Sequence, residues 1–149
     1  MTRKVRILIG NCDNAISDVI LDTIAYCGND QFELVATTTE RAEQVLEYAR
    51  SQEFDLCILI LNNLRYPPEY HRPDSSSNAQ WPDGFPDMAS KFVAQLKQTF
   101  TTPIIAMAGD PRDRVLWGEK VTRAGASYFF LLPPNNDDFL AALRKCLSV

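Results

Sequence analysis

Phe54-Asp55-Leu56-Cys57-Ile58-Leu59-Ile60-Leu61 is the stretch on which the fold turns. From Leu56 to Leu61 every side chain is apolar, with no polar residue interleaved. A strand with one wet face alternates apolar and polar residues. A short unbroken apolar run instead suits a strand covered on both faces, the situation inside a parallel sheet flanked by helices. The neighbouring sequence should then alternate strand and helix.

Upstream, Val5-Arg6-Ile7-Leu8-Ile9 reads as a first strand, and Gly10-Asn11-Cys12-Asp13-Asn14 as the turn into a helix. The apolar positions Ile16, Val19, Ile20, Ile24 and Ala25 recur at helical spacing until Gly28-Asn29 supplies a stop. Glu33 to Thr37 is a second strand. Thr37-Thr38-Thr39-Glu40 then offers an N-cap and an acidic first turn to a helix burying Ala42, Val45, Leu46 and Ala49. Downstream, Met88, Phe92, Val93 and Leu96 mark a third helix, and Pro103 to Met107 a fourth strand. Asp110-Pro111 suits the start of a fourth helix, and Ser127 to Leu131 is a fifth strand. Asn135-Asn136-Asp137-Asp138 caps a last helix through Phe139, Leu140, Leu143 and Leu147. The expected fold is α/β, a flavodoxin-like (βα)5 doubly wound, five-stranded parallel sheet of order 2-1-3-4-5. Ligands of such sheets bind where the winding reverses, at the carboxyl ends of strands one and three.

With 149 residues, 46% of them apolar and 23% charged, the chain matches one soluble domain spanning 1–149. Its net charge of -4 and scattered basic residues disfavour nucleic acid as a partner. The apolar run at Leu56–Leu61 is far short of a membrane span, and the N-terminus shows no cleavable signal, so a cytoplasmic protein without membrane contact is expected. Cys12, Cys27, Cys57 and Cys146 lack the paired spacing of zinc sites, and His71 is the lone histidine, so neither a metal nor another cofactor is expected. Cys27 and Cys146 are expected at the same end of one face, as packed thiols rather than a disulfide in a reducing compartment.

Residues 62–86 break the pattern with 25 residues, five of the nine prolines, three serines at Ser75 to Ser77, and aromatics Tyr66, Tyr70, Trp81 and Phe85. Connections in α/β units are usually about 2 to 6 residues long, so this segment reads as an insertion loop after strand three. Leaving from the carboxyl edge, it is placed to act as a lid, with Tyr66, Tyr70 or Trp81 plugging the pocket, or as a Pro-rich recognition segment. His71 within it is read as solvated.

Three stretches resemble the receiver domain of bacterial response regulators, of which CheY is the type. Ala124-Gly125-Ala126-Ser127-Tyr128-Phe129-Phe130-Leu131-Leu132-Pro133 is similar to that family's Ala-Gly-Ala, fifth strand and Lys-Pro; Phe54 to Leu59 and Pro103 to Met107 are similar to its third and fourth strands. The resemblance covers nearly the whole chain, and Asp83-Gly84 resembles the family's short Asp-Gly turn before helix three, which would place the insertion between Leu64 and Trp81. It implies an acidic pair holding Mg²⁺ after strand one, an aspartate accepting phosphoryl at the end of strand three, a hydroxyl residue after strand four, and a lysine before the proline. Matched without gaps, those positions hold Asn11 and Cys12, Ile60, Ala108, and Leu132. Ile60 has no oxygen to attack phosphorus. An amide and a soft thiol are poor ligands for a hard ion, and Leu132 cannot neutralise a transferred phosphoryl group. The resemblance thus implies a degenerate pseudo-receiver in two-component signal transduction, regulatory rather than enzymatic.

Two functions are compatible with these residues. The first is a phosphorylation-independent interaction module that contacts another signalling protein, or a second copy as a homodimer, through the helix-four, strand-five and helix-five face. Trp117, Tyr128, Phe129 and Phe130 are its candidate contacts, with Trp117 as an exposed anchor and Phe129 at the family's switch position. The second is a small-molecule or nucleotide binding protein using the vacated pocket, with Asn11, Asp13, Asn62 and Asn63 as polar contacts and Gly109 allowing close approach. Cysteine chemistry at Cys12, as in tyrosine phosphatases of low molecular weight, is disfavoured because the arginine needed six residues later is Asp18. Cys12 is expected instead as a half-buried thiol filling the old metal pocket.

Overall fold

A computed structural model describes residues 3–29, 31–70, 85–109 and 114–149. Strands β1 (Arg3–Gly10), β2 (Phe32–Thr39), β3 (Leu56–Ile60), β4 (Ile104–Ala108) and β5 (Tyr128–Leu131) alternate with helices α1 (Asn14–Cys27), α2 (Ala42–Ser51), α3 (Phe85–Thr99), α4 (Arg114–Ala124) and α5 (Asn136–Leu147). All four strand pairings are parallel and the order is β2-β1-β3-β4-β5, the expected doubly wound sheet.

The unbroken apolar run of β3 has the predicted cause. Leu56, Ile58 and Ile60 enter the layer beneath α1 and α5 with Val5, Ile7, Ile9, Phe139 and Leu143. Cys57 and Leu59 enter the opposite layer with residues of α2, α3 and α4, among them Val45, Phe92, Leu96 and Val121. Successive strand residues point to opposite faces, so a strand buried on both sides is apolar throughout. No helix among the described residues is long and apolar enough to cross a membrane.

Helix starts follow local chemistry. Asp13 caps α1, its Oδ1 accepting from the backbone N–H of Ala15 at 2.9 Å and of Ile16 at 3.3 Å, and Asn135 caps α5 by accepting from Asp138 N–H at 3.1 Å. The expected threonine cap of α2 is displaced. β2 runs on to Thr39, and α2 starts at Ala42 from Arg41, which makes no side-chain cap. Thr39 Oγ1 instead accepts from Arg41 N–H at 3.2 Å and bonds the Gln44 side chain. The Asp110-Pro111 start expected for α4 lies outside the described residues.

Along α1 the inward stripe is Ser17, Ile20, Ile24 and Cys27, and Val19, expected to be buried, is 65% exposed. The spacing of three and four is intact but the stripe is rotated by part of a turn, which brings Ser17 inward, where its Oγ accepts from Asn11 Nδ2, and turns Val19 outward.

Candidate functional site

At the carboxyl edge of the sheet, Asn11 follows β1 and is only 2% exposed. Its Nδ2 donates to Asp13 O at 2.7 Å and Ser17 Oγ at 3.0 Å, while its Oδ1 accepts from Asp13 N–H at 3.2 Å and Asn63 Nδ2 at 3.1 Å. An amide side chain offers two donor hydrogens and an acceptor oxygen with two lone pairs, and all are used. Burial without cost requires this.

Ile60, the last residue of β3, leads into a 3-10 turn, Leu61–Asn63. The turn carries Asn62 toward the end of β4. Asn62 Nδ2 donates to Gly109 O at 2.7 Å and Gly109 N–H donates to Asn62 Oδ1 at 3.2 Å, a closed two-bond ring. Gly109 permits the approach, since a Cβ there would lie 3.3 Å from Asn62 Nδ2 and 4.0 Å from Leu132 Cδ1. Gly10 plays a similar part below Asn11, where a Cβ would stand 3.0 Å from both Leu59 and Leu64.

The five positions assigned by resemblance divide into two groups. Ile60 and Ala108 are completely buried, in opposite apolar layers, and Leu132 packs against the layer containing Ile60. Asn11 is bonded within the chain, and Cys12 is exposed rather than half-buried, so it does not fill a pocket. Asp13 keeps its carboxylate beside this edge, but one oxygen is engaged as the cap of α1. Asn11, Asn62, Asn63 and Gly109 therefore do come together, bonded to one another and to the chain. Ser17 escaped the sequence reading. Its signal was the 17, 20, 24, 27 spacing, which makes the serine the one polar member of the inward stripe.

The expected lid is partly a wall. Leu64, Tyr66 and Tyr70 pack into the core on the α3 side instead of reaching over Asn11. Arg65 N–H donates to Glu40 O at 2.8 Å, Ala42 N–H to Arg65 O at 2.9 Å, and a second 3-10 turn forms at Pro68–Tyr70. The Tyr66 hydroxyl donates to Leu61 O at 2.9 Å, and its ring meets Phe92 edge-on at 5.7 Å and Tyr70 at 6.2 Å. Burial pushes the Tyr66 phenol well above its usual range. An apolar floor is available there, and the phenol reaches a carbonyl without leaving it. Trp81 and His71 lie outside the described residues.

Trp117, expected as an exposed anchor, is 6% exposed and stacks on Phe129 with ring centres 6.5 Å apart. Residue 118 is glycine, and a Cβ there would lie 3.4 Å from the Phe129 ring, so α4 sits close to β5 and the indole is drawn in. Tyr128 and Phe130 are half-buried on the other face, stacked at 6.2 Å, with Phe130 against Phe139. The apolar residues that α4 does present are Val115, 64% exposed, and Leu116, 39% exposed.

Cys57 is fully buried, and loss of solvation drives its thiol far above the usual range against the weaker pull of Lys97. Burial also raises Cys27, with Arg144 opposing, and Cys146, with Lys145 opposing. All four cysteines are free.

No protein-family model matches the chain, and no curated protein is significantly similar to it. Solved structures are. The receiver domain of a sensor histidine kinase from Pseudomonas aeruginosa, which has magnesium in its active site cleft, is 14% identical with a TM-score of 0.62, over 99% of this chain and 100% of that one. A CheY-like response regulator receiver domain protein from Methanospirillum hungatei is 18% identical with a TM-score of 0.63, over 98% and 95%. A two-component response regulator from Clostridium difficile is 14% identical with a TM-score of 0.64, over 97% and 96%. From end to end, this chain has the fold of response-regulator receiver domains.

Proposed function

We propose that the chain is a regulatory protein-interaction module built on the receiver fold, working without phosphorylation and without enzymatic turnover. Ile60 carries this reading. At the position where the resemblance demands a nucleophilic carboxylate stands a side chain with no acceptor atom, sealed in an apolar layer. The asparagines around it support the same reading. They join β1, β3 and β4 through hydrogen bonds of their own, at the edge where the resemblance puts a metal ion and a phosphoryl group.

A ligand in the vacated pocket is the weaker alternative. It would have to displace bonds that already satisfy Asn11 and Asn62, and exchanging one set for another yields little net affinity. The output is then contact with another signalling protein through the α4, β5 and α5 face, where Val115 and the half-buried Tyr128 and Phe130 supply apolar surface.

Incubation with acetyl phosphate and Mg²⁺ followed by intact mass measurement tests this. We expect an unchanged mass; a labile gain of one phosphoryl group would overturn the proposal.

A further inference from the structure

β2 is the longer of the two edge strands. It runs eight residues, Phe32–Thr39, and pairs with β1 along that whole length without a bulge, from Arg3 beside Phe32 to Gly10 beside Thr39. The order β2-β1-β3-β4-β5 leaves its outer side open, and the opposite edge, β5, is only four residues long. Gln31 O accepts from Arg3 N–H at 2.8 Å and Thr39 O from Asn11 N–H at 2.9 Å, so the odd-numbered residues turn their backbone groups to β1. Residues alternate in this along a strand, and Phe32, Leu34, Ala36 and Thr38 therefore direct their N–H and C=O groups away from the sheet. Proteins guard such edges by shortening or bulging them, or by placing proline or lysine there. β2 carries none of these guards, and its one charge is Glu33.

This edge matches a second copy of itself in one register. A two-fold axis perpendicular to the sheet and passing beside Val35 sets two β2 strands antiparallel, so that Phe32 meets Thr38 of the second copy and Leu34 meets Ala36. Each facing pair exchanges two hydrogen bonds, and every outward N–H and C=O of both strands finds a partner. The side chains agree with this register. Phe32 and Leu34 are half-buried against the layer of α1 and α5, while Ala36 and Thr38 on the same face are exposed, so each large side chain faces a small, uncovered one. On the α2 face Val35 meets Val35, and Glu33 meets Thr37. Moving the axis to Glu33 would set two carboxylates together, and moving it to Thr37 would leave Phe32 and Leu34 without partners in the strand.

We infer that β2 pairs edge to edge with β2 of a second copy, a closed homodimer in which two five-stranded sheets become one continuous sheet. This goes beyond the proposed output face. β5 lies at the far edge of the sheet, so the α4, β5 and α5 face stays open in the dimer. One strand pair makes a small interface, and the dimer should form only at high protein concentration.

Sedimentation equilibrium of the full chain between about 10 μM and about 1 mM reads this, with the mass expected to rise from 16.8 kDa toward twice that value. Ala36→Pro removes an outward N–H alone, which an edge strand tolerates, and should weaken association more than about tenfold with circular dichroism unchanged. Ala36→Lys keeps the N–H but sets two ammonium groups diagonally across the axis, and should weaken association less in high salt than in low. Register is read in a Cys12→Ser background. Val35→Cys should oxidise to a covalent dimer, because facing residues lie within the span of a disulfide, and Thr37→Cys should not. A chain still monomeric at about 1 mM would leave the edge to an extended segment of another protein and overturn the inference. Ala36→Lys associating like the unmodified chain, or cross-linking through Thr37→Cys in place of Val35→Cys, would overturn it equally.

Discussion

Asn62 holds the backbone of Gly109 from both sides, donating to its carbonyl at 2.7 Å and accepting from its N–H at 3.2 Å, and so ties the turn after β3 to the end of β4. The bond pair spans 47 residues of sequence. Asn63 to Asn11 makes the matching tie between β3 and β1. The carboxyl edge is thereby braced by neutral amides.

Asn62→Ala should destabilise the fold by about 1 to 3 kcal/mol, since it leaves both polar groups of Gly109 without their partner. Urea denaturation gives the difference. Asn62→Asp should recover only part of it, because a carboxylate accepts from the N–H but repels the carbonyl.

Returning an acceptor to β3 should not restore phosphorylation. Ile60→Asp puts a carboxylate where the side chain is fully buried, in the apolar layer of Ile9, Met107 and Phe139. A loss of about 3 kcal/mol or more is expected, enough to unfold much of a domain of ordinary stability. The melting temperature and near-ultraviolet circular dichroism report it; a stable variant that takes up phosphate from acetyl phosphate would contradict the description of this layer.

Thiol reactivity should rank by burial. Cys12 is exposed and should react first with a disulfide reagent at pH 8, Cys146 and Cys27 later, and Cys57 only on unfolding. Peptide mapping after timed quenching gives the order. Cys57 modified ahead of global unfolding would mean that β3 opens locally.

The buried acids predict alkaline sensitivity. Cys57 and Tyr66 are both raised in the folded state, so the unfolded chain gives up their protons first. Their contribution is complete below the unfolded values, 9.0 for the thiol and 10.0 for the phenol, and fades as pH climbs above them. Stability should therefore fall with pH from about 9 upward. Cys57→Ala should cost about 1 kcal/mol or somewhat more at pH 7 for the lost packing, yet show a shallower alkaline decline in denaturation midpoints.

Much of this was present in the order of residue types. The apolar run of Leu56–Leu61, the turn Gly10–Asn14, the cap at Asn135 and the alternation of periods determined five strands, five helices and the edge where a site belongs, because backbone pairing and two-sided burial leave few other arrangements for such a pattern. The same positions determined that Ile60 cannot accept a phosphoryl group, a matter of which atoms a side chain has. Tertiary structure alone decided what each residue does with its freedom. It turned Trp117 inward onto Phe129 and Val19 outward, bound Tyr66 and Tyr70 to Phe92 instead of leaving them as a lid, and joined the asparagines across the edge. Period and composition define a stripe only to within part of a helical turn. Which side of it is buried depends on the partner it meets, and residues such as Asn62 and Gly109 become partners only when the sheet brings them together.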